Sequence, residues 1–487
     1  MKEIKFLKDK QNYPPDDIGI SKLFVDCYSD EIVYCKDVGW FIWNGKIWER
    51  DAREGGKVNE LIKDFATYCT KEIFVNPELD LDQKEKLNKT YSKLLNKKYR
   101  DSILKDSMSI KPVEISIFDN HKWLFNCQNG TYDFKRKIFR DFDKSDYLTD
   151  ISNVIYDKNA DCPRFNRYLD EVMNNDSSKI DYLLKIASYC LTGDTSRECF
   201  FILYGDKTRN GKGTFVSTLT YLMGSYAKTV NAASITKKTV NTGGGNASPD
   251  LAKLRKARLA NVNEIEDNMM LDIAKVKEMT GGDTMTARFL YKEEFEYIPQ
   301  FKILINTNVL PKMSEDSIFR SDRLHLICFD RHFEPDERDL SLKDRLKAEV
   351  SGIFNLLVKY YDKLNSEGFI MPESTKQTIE QYQFNSNNVL LFVKEKLYED
   401  KQSWETIAEV YKTYTDWCVE NGLSQMAKKT FKERIARCGA VINDGLARHT
   451  TSAGENKVSR DWIKGFALNK QKMIQELTEI DDNSLPF

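Results

Sequence analysis

CFFILYGDKTRNGKGTF, residues 199–215, decides the fold of this chain. Its first part, Cys199 to Tyr204, is an unbroken apolar run of strand length. A loop with three glycines, Gly205, Gly211 and Gly213, follows at once, and FVSTLTYLMG (215–224) then reads as a helix. Strand, glycine loop and helix in that order make a phosphate cradle. Glycine lets the backbone approach, successive N–H groups converge, and the helix N-terminus favours an anion. The candidate contacts are Gly205, Asn210, Gly211, Lys212, Gly213 and Thr214, with Lys212 placing its ammonium on the β- and γ-phosphates of ATP. Two features depart from the usual spacing. Five residues, not four, separate Gly205 from Gly211, and Gly213 stands where Ser or Thr normally ligates Mg²⁺, so Thr214 is the candidate metal ligand. The plain alternative is a glycine-rich turn that holds no nucleotide.

Downstream, strand and helix patterns alternate to about residue 330, the signature of an α/β domain with a parallel sheet. RLANVNEIE (258–266) reads as a strand ending in carboxylates. Glu264 is the candidate to activate water and hold Mg²⁺; Asn263 precedes it where Asp is common, and Glu266 and Asp267 add negative charge. FKILINTN (301–308) is a second apolar strand, and Asn308 at its end can orient a γ-phosphate or water without adding charge. In FRSDRL (319–324), Arg320 and Arg323 are candidates to reach a neighbouring subunit's nucleotide, against the alternative of local ion pairs. TGGDTMTARFLYKEE (280–294) reads as a turn into a hairpin. Arg288 and Lys292 there are candidate phosphate contacts to DNA in a channel, against a merely solvated hairpin.

Taken in order, the glycine loop, RLxxxNE, TGGDxxxAR and ILINTNxLP resemble superfamily 3 helicases, and more narrowly the poxvirus-type primase–helicase family of phages, plasmids and mobile islands. WFIWNGKIW (40–48) and LFNCQNGTYD (124–133) look like that family's N-terminal region, and GIFNLL (352–357) and GFIMPE (368–373) like its helices after the ATPase. The resemblance covers about residues 20–390. It implies an AAA+ ATPase that uses ATP and Mg²⁺, assembles as a homo-oligomeric ring, a hexamer, and moves on DNA. Lys212, Glu264, Asn308 and an arginine at 320–323 take the shared roles. Many relatives carry a primase domain in front. Here Asp80-x-Asp82 lies in a Lys-rich stretch with no supporting His and reads as solvated charge. The implied function is an ATP-dependent hexameric DNA helicase and replication initiator, the self-loading helicase of a satellite phage, pathogenicity island or chromosomal cassette. Three alternatives stay open: an AAA+ loader that remodels other proteins, an origin-binding scaffold that does not hydrolyse ATP, and a primase–helicase whose primase site lies in residues 1–160.

The flanks complete the expected architecture, an α/β P-loop AAA+ core with an α+β N-terminal domain and a C-terminal winged helix. The expected boundaries are 1–160 for the N-terminal domain, 161–197 for a helical collar, 198–335 for the ATPase core, 336–385 for a helical extension, 386–470 for the winged helix and 471–487 for an acidic tail. Residues 22–50 look β-rich and 57–106 helical. Trp40, Trp43 and Trp48 read as packing on one sheet face, with a base-stacking platform as the alternative. Residues 387–470 read as three helices and a hairpin, the third helix being KKTFKERIAR (428–437), capped by Ser424. Lys428, Lys429, Lys432, Arg434 and Arg437 are its candidate DNA contacts. Residues 426–470 hold ten Lys/Arg against four acids, a local net of +6 in a chain of net charge −1. Winged helices also serve as protein-contact modules. The tail, EIDDNSLPF (479–487), resembles the C-terminal tip of bacterial single-stranded-DNA-binding proteins. Asp481, Asp482, Leu485, Pro486 and Phe487 are candidates to dock a primase or other replication protein that reads such tips, against an inert end.

Composition bounds the rest. Of 487 residues, 41% are hydrophobic and 31% charged, enough apolar mass for several cores. No apolar run reaches a membrane span, and the first residues carry no secretory pattern. The ten cysteines form no C-x-x-C pair, which disfavours zinc ribbons and disulfide frameworks. A cytoplasmic protein with reduced thiols is expected.

Overall fold

Five parallel strands form the sheet that CFFILY enters: β1 (Phe200–Tyr204), β2 (Ala227–Val230), β3 (Leu259–Asn263), β4 (Lys302–Thr307) and β5 (Leu324–Cys328). In the computed structural model they lie in the order β5-β1-β4-β3-β2. The described residues are 12–52, 55–237, 249–263, 265, 269–288, 294–313, 315–386, 388–421 and 425–468. β1, β4 and β5 are almost wholly buried, as expected of strands covered on both faces. The order brings β4 between β1 and β3, with Thr307 paired to Tyr204 and Asn306 to Asn263. The C-terminal ends of these three strands therefore meet at one edge, where open α/β sheets bind ligands.

Two buried cations pin the opposite ends of β3 and β4. Arg258 donates to the carbonyls of Leu191, His121 and Leu124 and lies 4.5 Å from the Tyr226 ring centroid. Lys302 donates to the carbonyls of Thr192, Asp194 and Gln300. Burial pushes the Lys302 ammonium down to about 7, because a desolvated charge is costly. Carbonyl acceptors supply the partners that such buried donors require.

The chain divides into two compact units, residues 1–311 with 323–372, and residues 312–322 with 373–487. In the first, one hydrophobic cluster runs from Phe125, Tyr132 and Val154 through helices Pro163–Val172 and Ser177–Tyr189 to the sheet and on to helix Val350–Glu367. Phe125 stacks on Tyr226 at 4.9 Å and on Phe354 at 5.3 Å. The expected boundary at 160/161 thus falls inside a continuous core, and the expected collar helices are packed into it. The expected extension is divided as well: Val350–Glu367 belongs to the first unit and Glu373–Ser386 to the second.

A separate cluster near the N-terminus joins helix Asp17–Cys27, strands Ile32–Cys35 and Gly39–Trp43, and helices Lys57–Val75 and Lys97–Ser107. The helix Asp17–Cys27 overlaps a stretch that reads as β-rich. Asp16 caps it, accepting from Gly19 N–H, and Ile20, Leu23 and Phe24 bury one face. Trp48 is buried, stacked on Tyr147 at 5.8 Å and near Trp43, whereas Trp40 pairs with Tyr34 on the adjacent strand.

The second unit runs helix Asn388–Lys396, strand Leu397–Thr406, helices Ile407–Glu420 and Lys428–Arg437, then strands Val441–Thr450 and Asn456–Leu468. The last strand is central in a three-stranded antiparallel sheet. Strand Leu397–Thr406 is absent from the three-helices-and-hairpin expectation. Ala427, not Ser424, occupies the N-cap of the basic helix; Ser424 lies outside the described residues. No described helix is long and apolar enough to cross a membrane.

Candidate functional site

The glycine loop leaves β1 at Gly205 and enters helix Lys212–Met223 at Gly211, whose φ of +92° is a left-handed conformation that glycine adopts without strain. A Cβ at Gly211 would also stand 2.5 Å from Val172 Cγ1. One at Gly205 would stand 2.7 Å from the backbone carbonyl oxygen of Phe329. Glycine is thus required at both ends of the loop. Asn210 is buried and ties the loop internally, its Nδ2 donating to the Lys207 carbonyl (2.6 Å) and its Oδ1 accepting from Lys212 N–H (3.3 Å). The longer spacing is accommodated by this side-chain tie together with Arg209, which itself adopts a φ of +58°. By contrast, a Cβ at Gly213 would meet nothing within 4 Å, and Gly213 is exposed at the start of the helix.

Lys212 is 4% exposed. Its ammonium donates to the Gly205 carbonyl (2.9 Å) and to Asn308 Oδ1 (2.8 Å). Two residues 96 apart in sequence are thus joined because β1 and β4 are neighbours. Burial lowers the ammonium to about 8, opposed by the charge of Asp206. A desolvated cation with neutral partners is poised to exchange them for an anion. Thr214 sits half-buried in the first turn of the helix, its N–H bonded to the Gly211 carbonyl (2.9 Å). The residues present fit a phosphate group: a glycine cradle, a helix N-terminus and a buried cation face one edge of the sheet.

Several supports were not singled out in the sequence. Tyr168 OH donates to the Gly211 carbonyl (2.8 Å), bracing the loop from helix Pro163–Val172. Beyond β5, His332 Nδ1 donates to the Thr208 carbonyl (2.8 Å) and Phe333 N–H to the Arg209 carbonyl (3.0 Å). Amphipathic spacing in PRFNRYLDEV marks Tyr168 as buried, but nothing local names the loop as its partner.

The remaining candidates are placed unevenly. Asn263 ends β3 and its Oδ1 accepts from Asn261 Nδ2 (3.1 Å). Glu264, Glu266 and Asp267 lie outside the described residues, as do Lys292 and the acidic tail with Asp481, Asp482, Leu485, Pro486 and Phe487. Among the described residues no cluster of three or more His, Cys, Asp or Glu side chains could hold a metal. Arg320 ends a short helical turn, Asp316–Arg320, and its side chain is outside the described residues. Arg323 pairs with Glu198 and donates to Thr280 Oγ1 (3.2 Å), so its guanidinium is engaged within the chain. Arg288 stands opposite Glu294 across the strands Met285–Arg288 and Glu294–Tyr297, 3.9 Å from its carboxylate. On the basic helix, Lys428, Lys429 and Arg437 are exposed and Arg434 is half-buried. Lys432 differs: it pairs with Asp444 and Asp461 of the hairpin, which hold its ammonium above the usual lysine range.

Residues 21–174 match the family model described as D5 N terminal like, and residues 385–473 match Poxvirus D5 protein-like. Residues 203–323 match a family of unknown function, DUF5906. Two viral proteins, both named putative helicases, are similar. L207/L206 of Acanthamoeba polyphaga mimivirus is 27% identical over 371 residues, 70% of this chain and 38% of that protein. The 121R protein of Invertebrate iridescent virus 3 is 21% identical over 481 residues, 84% of this chain and 51% of that protein. The chain thus spans about half or less of the length of these relatives. Among solved structures, the apo C terminal region of NrS-1 matches with a TM-score of 0.48 at 10% identity, covering 93% of this chain and 100% of that one.

Proposed function

We propose, on the premise that the chain belongs to the D5-type primase–helicase family, that it is an ATP-driven DNA helicase of the AAA+ superfamily 3 type that acts in replication. The observation that carries this reading is the buried Lys212 ammonium held between Gly205 and Asn308 at the meeting edge of β1 and β4. Lys212 leaves those two acceptors for phosphate oxygens. Asn308, released, orients the terminal phosphate or the attacking water. Thr214 and Glu264 would hold Mg²⁺, which would neutralise charge on the phosphates, and the Glu264 carboxylate would take the proton of the attacking water. Bound ATP and Mg²⁺ supply a phosphoanhydride whose hydrolysis drives movement along DNA. Chains assemble as a ring, a hexamer, and Arg320 reaches the neighbouring subunit's nucleotide. Arg288 and Lys292 are the proposed phosphate contacts to that DNA.

The C-terminal unit is read as a winged helix. The order helix, strand, helix, helix, hairpin supports that reading, with Lys428–Arg437 as the recognition helix and the hairpin as the wing. Its exposed Lys428, Lys429 and Arg437 bind origin DNA.

The test is unwinding of forked duplexes by the wild-type chain and Lys212→Ala, with ATP turnover followed in the same reactions. Loss of both by about 100-fold or more is expected, the scale of removing a principal electrostatic contact. Turnover without unwinding would favour a loader or remodeller, and no turnover by the wild type would leave a DNA-binding scaffold.

A further inference from the structure

A cavity of about 380 Å³ opens within the N-terminal part of the first unit, away from the glycine loop in sequence and built by other elements. One wall is the hairpin Ile32–Trp43, where Tyr34 and Trp40 are direct cross-strand partners. Their rings meet edge to face, centroids 5.1 Å apart. Helix Lys97–Ser107 also lines the cavity, with buried Leu104 and exposed Asp101 and Lys105. The start of helix Lys57–Val75 adds Val58 and Asn59 to the lining.

The charges around this space are not equivalent. Asp51 accepts from the N–H groups of Lys57 (2.8 Å) and Val58 (3.1 Å), so its carboxylate serves the helix. Lys36 pairs with Glu114, which does not line the cavity. Asp37, Asp101 and Lys105 line the cavity and hold no ion pair among the described residues. The space therefore offers half-buried aromatic faces, buried apolar side chains, two carboxylate acceptors and an exposed ammonium. A bare anion would face the carboxylates, and a simple cation would face Lys105. A nucleotide unit satisfies all three features: a base for the aromatic faces, base and sugar N–H and O–H donors for the carboxylates, and one phosphate for lysine. The volume lies within the range of small-ligand sites.

We propose that this cavity binds a single nucleotide unit, supplied either by a free nucleotide or by one residue of single-stranded DNA. The inference rests on the reading of the chain as a nucleic-acid enzyme, but on none of the residues assigned to ATP hydrolysis or duplex binding. Trp40 gives the base a stacking face, and Lys105 receives the phosphate. The three tryptophans of the N-terminal region thus divide: Trp43 and Trp48 contact each other, whereas Trp40 packs on the N-terminal cluster and also lines the cavity.

The test uses the full chain carrying Lys212→Ala, which removes the principal phosphate contact of the glycine loop. It is irradiated with 5-iodo-dUMP or with a 10-mer containing one 5-iodo-deoxyuridine, and the labelled peptides are mapped by mass spectrometry. Labelling within residues 34–40 or 101–108 is expected. Labelling by the mononucleotide assigns the source as free nucleotide, and labelling by the 10-mer alone assigns it as single strand. Trp40→Leu should abolish the label at that site, and Lys105→Met, a change at an exposed position, should reduce it at least about fivefold with an unchanged thermal melt. Labelling found only elsewhere, or unchanged by both substitutions, overturns the proposal. Loss of unwinding in the parent chain leaves this readout intact, so failure of the helicase reading and failure of this one are distinguishable.

Discussion

A lysine in water keeps its proton to about pH 10, whereas burial lowers Lys212 from 10.5 to about 8. The sign of the consequence is fixed. Below pH 8 the ammonium is charged and attracts phosphate. Above it the free chain has lost that charge, and binding must take a proton back from solvent. Nucleotide affinity is therefore expected to weaken about tenfold between pH 7 and pH 9, one logarithmic unit above the lowered value. Calorimetry in buffers of different ionisation enthalpy should report proton uptake on binding at pH 9. An affinity flat across that range would mean that Lys212 does not meet the phosphates. At this scale much of the candidate site is legible in sequence, because a glycine loop, its lysine and a strand ending in amides are residue types that suit phosphate, and the fold brings Lys212 and Asn308 together. The contacts that hold them, Tyr168 on Gly211 and His332 on Thr208, are not legible. They come from segments distant in the chain, and their residue types have many other uses.

Among elements, apolar runs announced β1 and β4, because strands covered on both faces need little but hydrophobic residues. Strand Leu397–Thr406 carries no such signal. Its sequence LYEDKQSWET is mostly polar, only Leu397, Glu405 and Thr406 are buried, and its register slips between Asp400 and Trp404. It is a strand because Asn456–Leu468 pairs with it on both sides of that slip, a tertiary cause that periodicity cannot show. The start of β4 poses the reverse problem: FKILIN reads as apolar, yet Lys302 is 1% exposed within it. Its folded value of about 7 lies below the 10.5 of an open chain, so between these values the unfolded state binds a proton that the folded state does not. Stability from this group consequently rises with pH across that window. Relative to Lys302→Met, the wild type is expected to gain about 2 kcal/mol between pH 7 and pH 9, read from urea midpoints. The substitution should also cost stability at pH 7, since it strands the Thr192, Asp194 and Gln300 carbonyls. A stability difference independent of pH would show that the lysine is charged throughout.

The whole molecule divides its proposed tasks between two compact units, with the glycine loop in one and the basic helix in the other. The near-neutral net charge of −1 conceals this, because it averages a basic C-terminal segment with acidic residues elsewhere. Counting charges in sequence found the segment, but it gave all five candidate cations of the basic helix equal weight. The fold separates them. Lys432 spends its charge on Asp444 and Asp461 and so fixes the helix against the hairpin, while Lys428, Lys429 and Arg437 are exposed. Each phosphate contact on duplex DNA contributes about −0.9 to the slope of log affinity against log salt. Replacing Lys428, Lys429 and Arg437 with glutamine should therefore flatten that slope by about 3 units. Lys432→Met should change it by less than about 1, because its charge is neutralised before DNA arrives. Salt-dependent binding of a duplex by the full chain, with ATP turnover in the absence of DNA as the internal control, decides the matter. Equal slopes for the wild type and the triple variant would remove the basic helix from the DNA interface and leave the C-terminal unit as a protein-contact module.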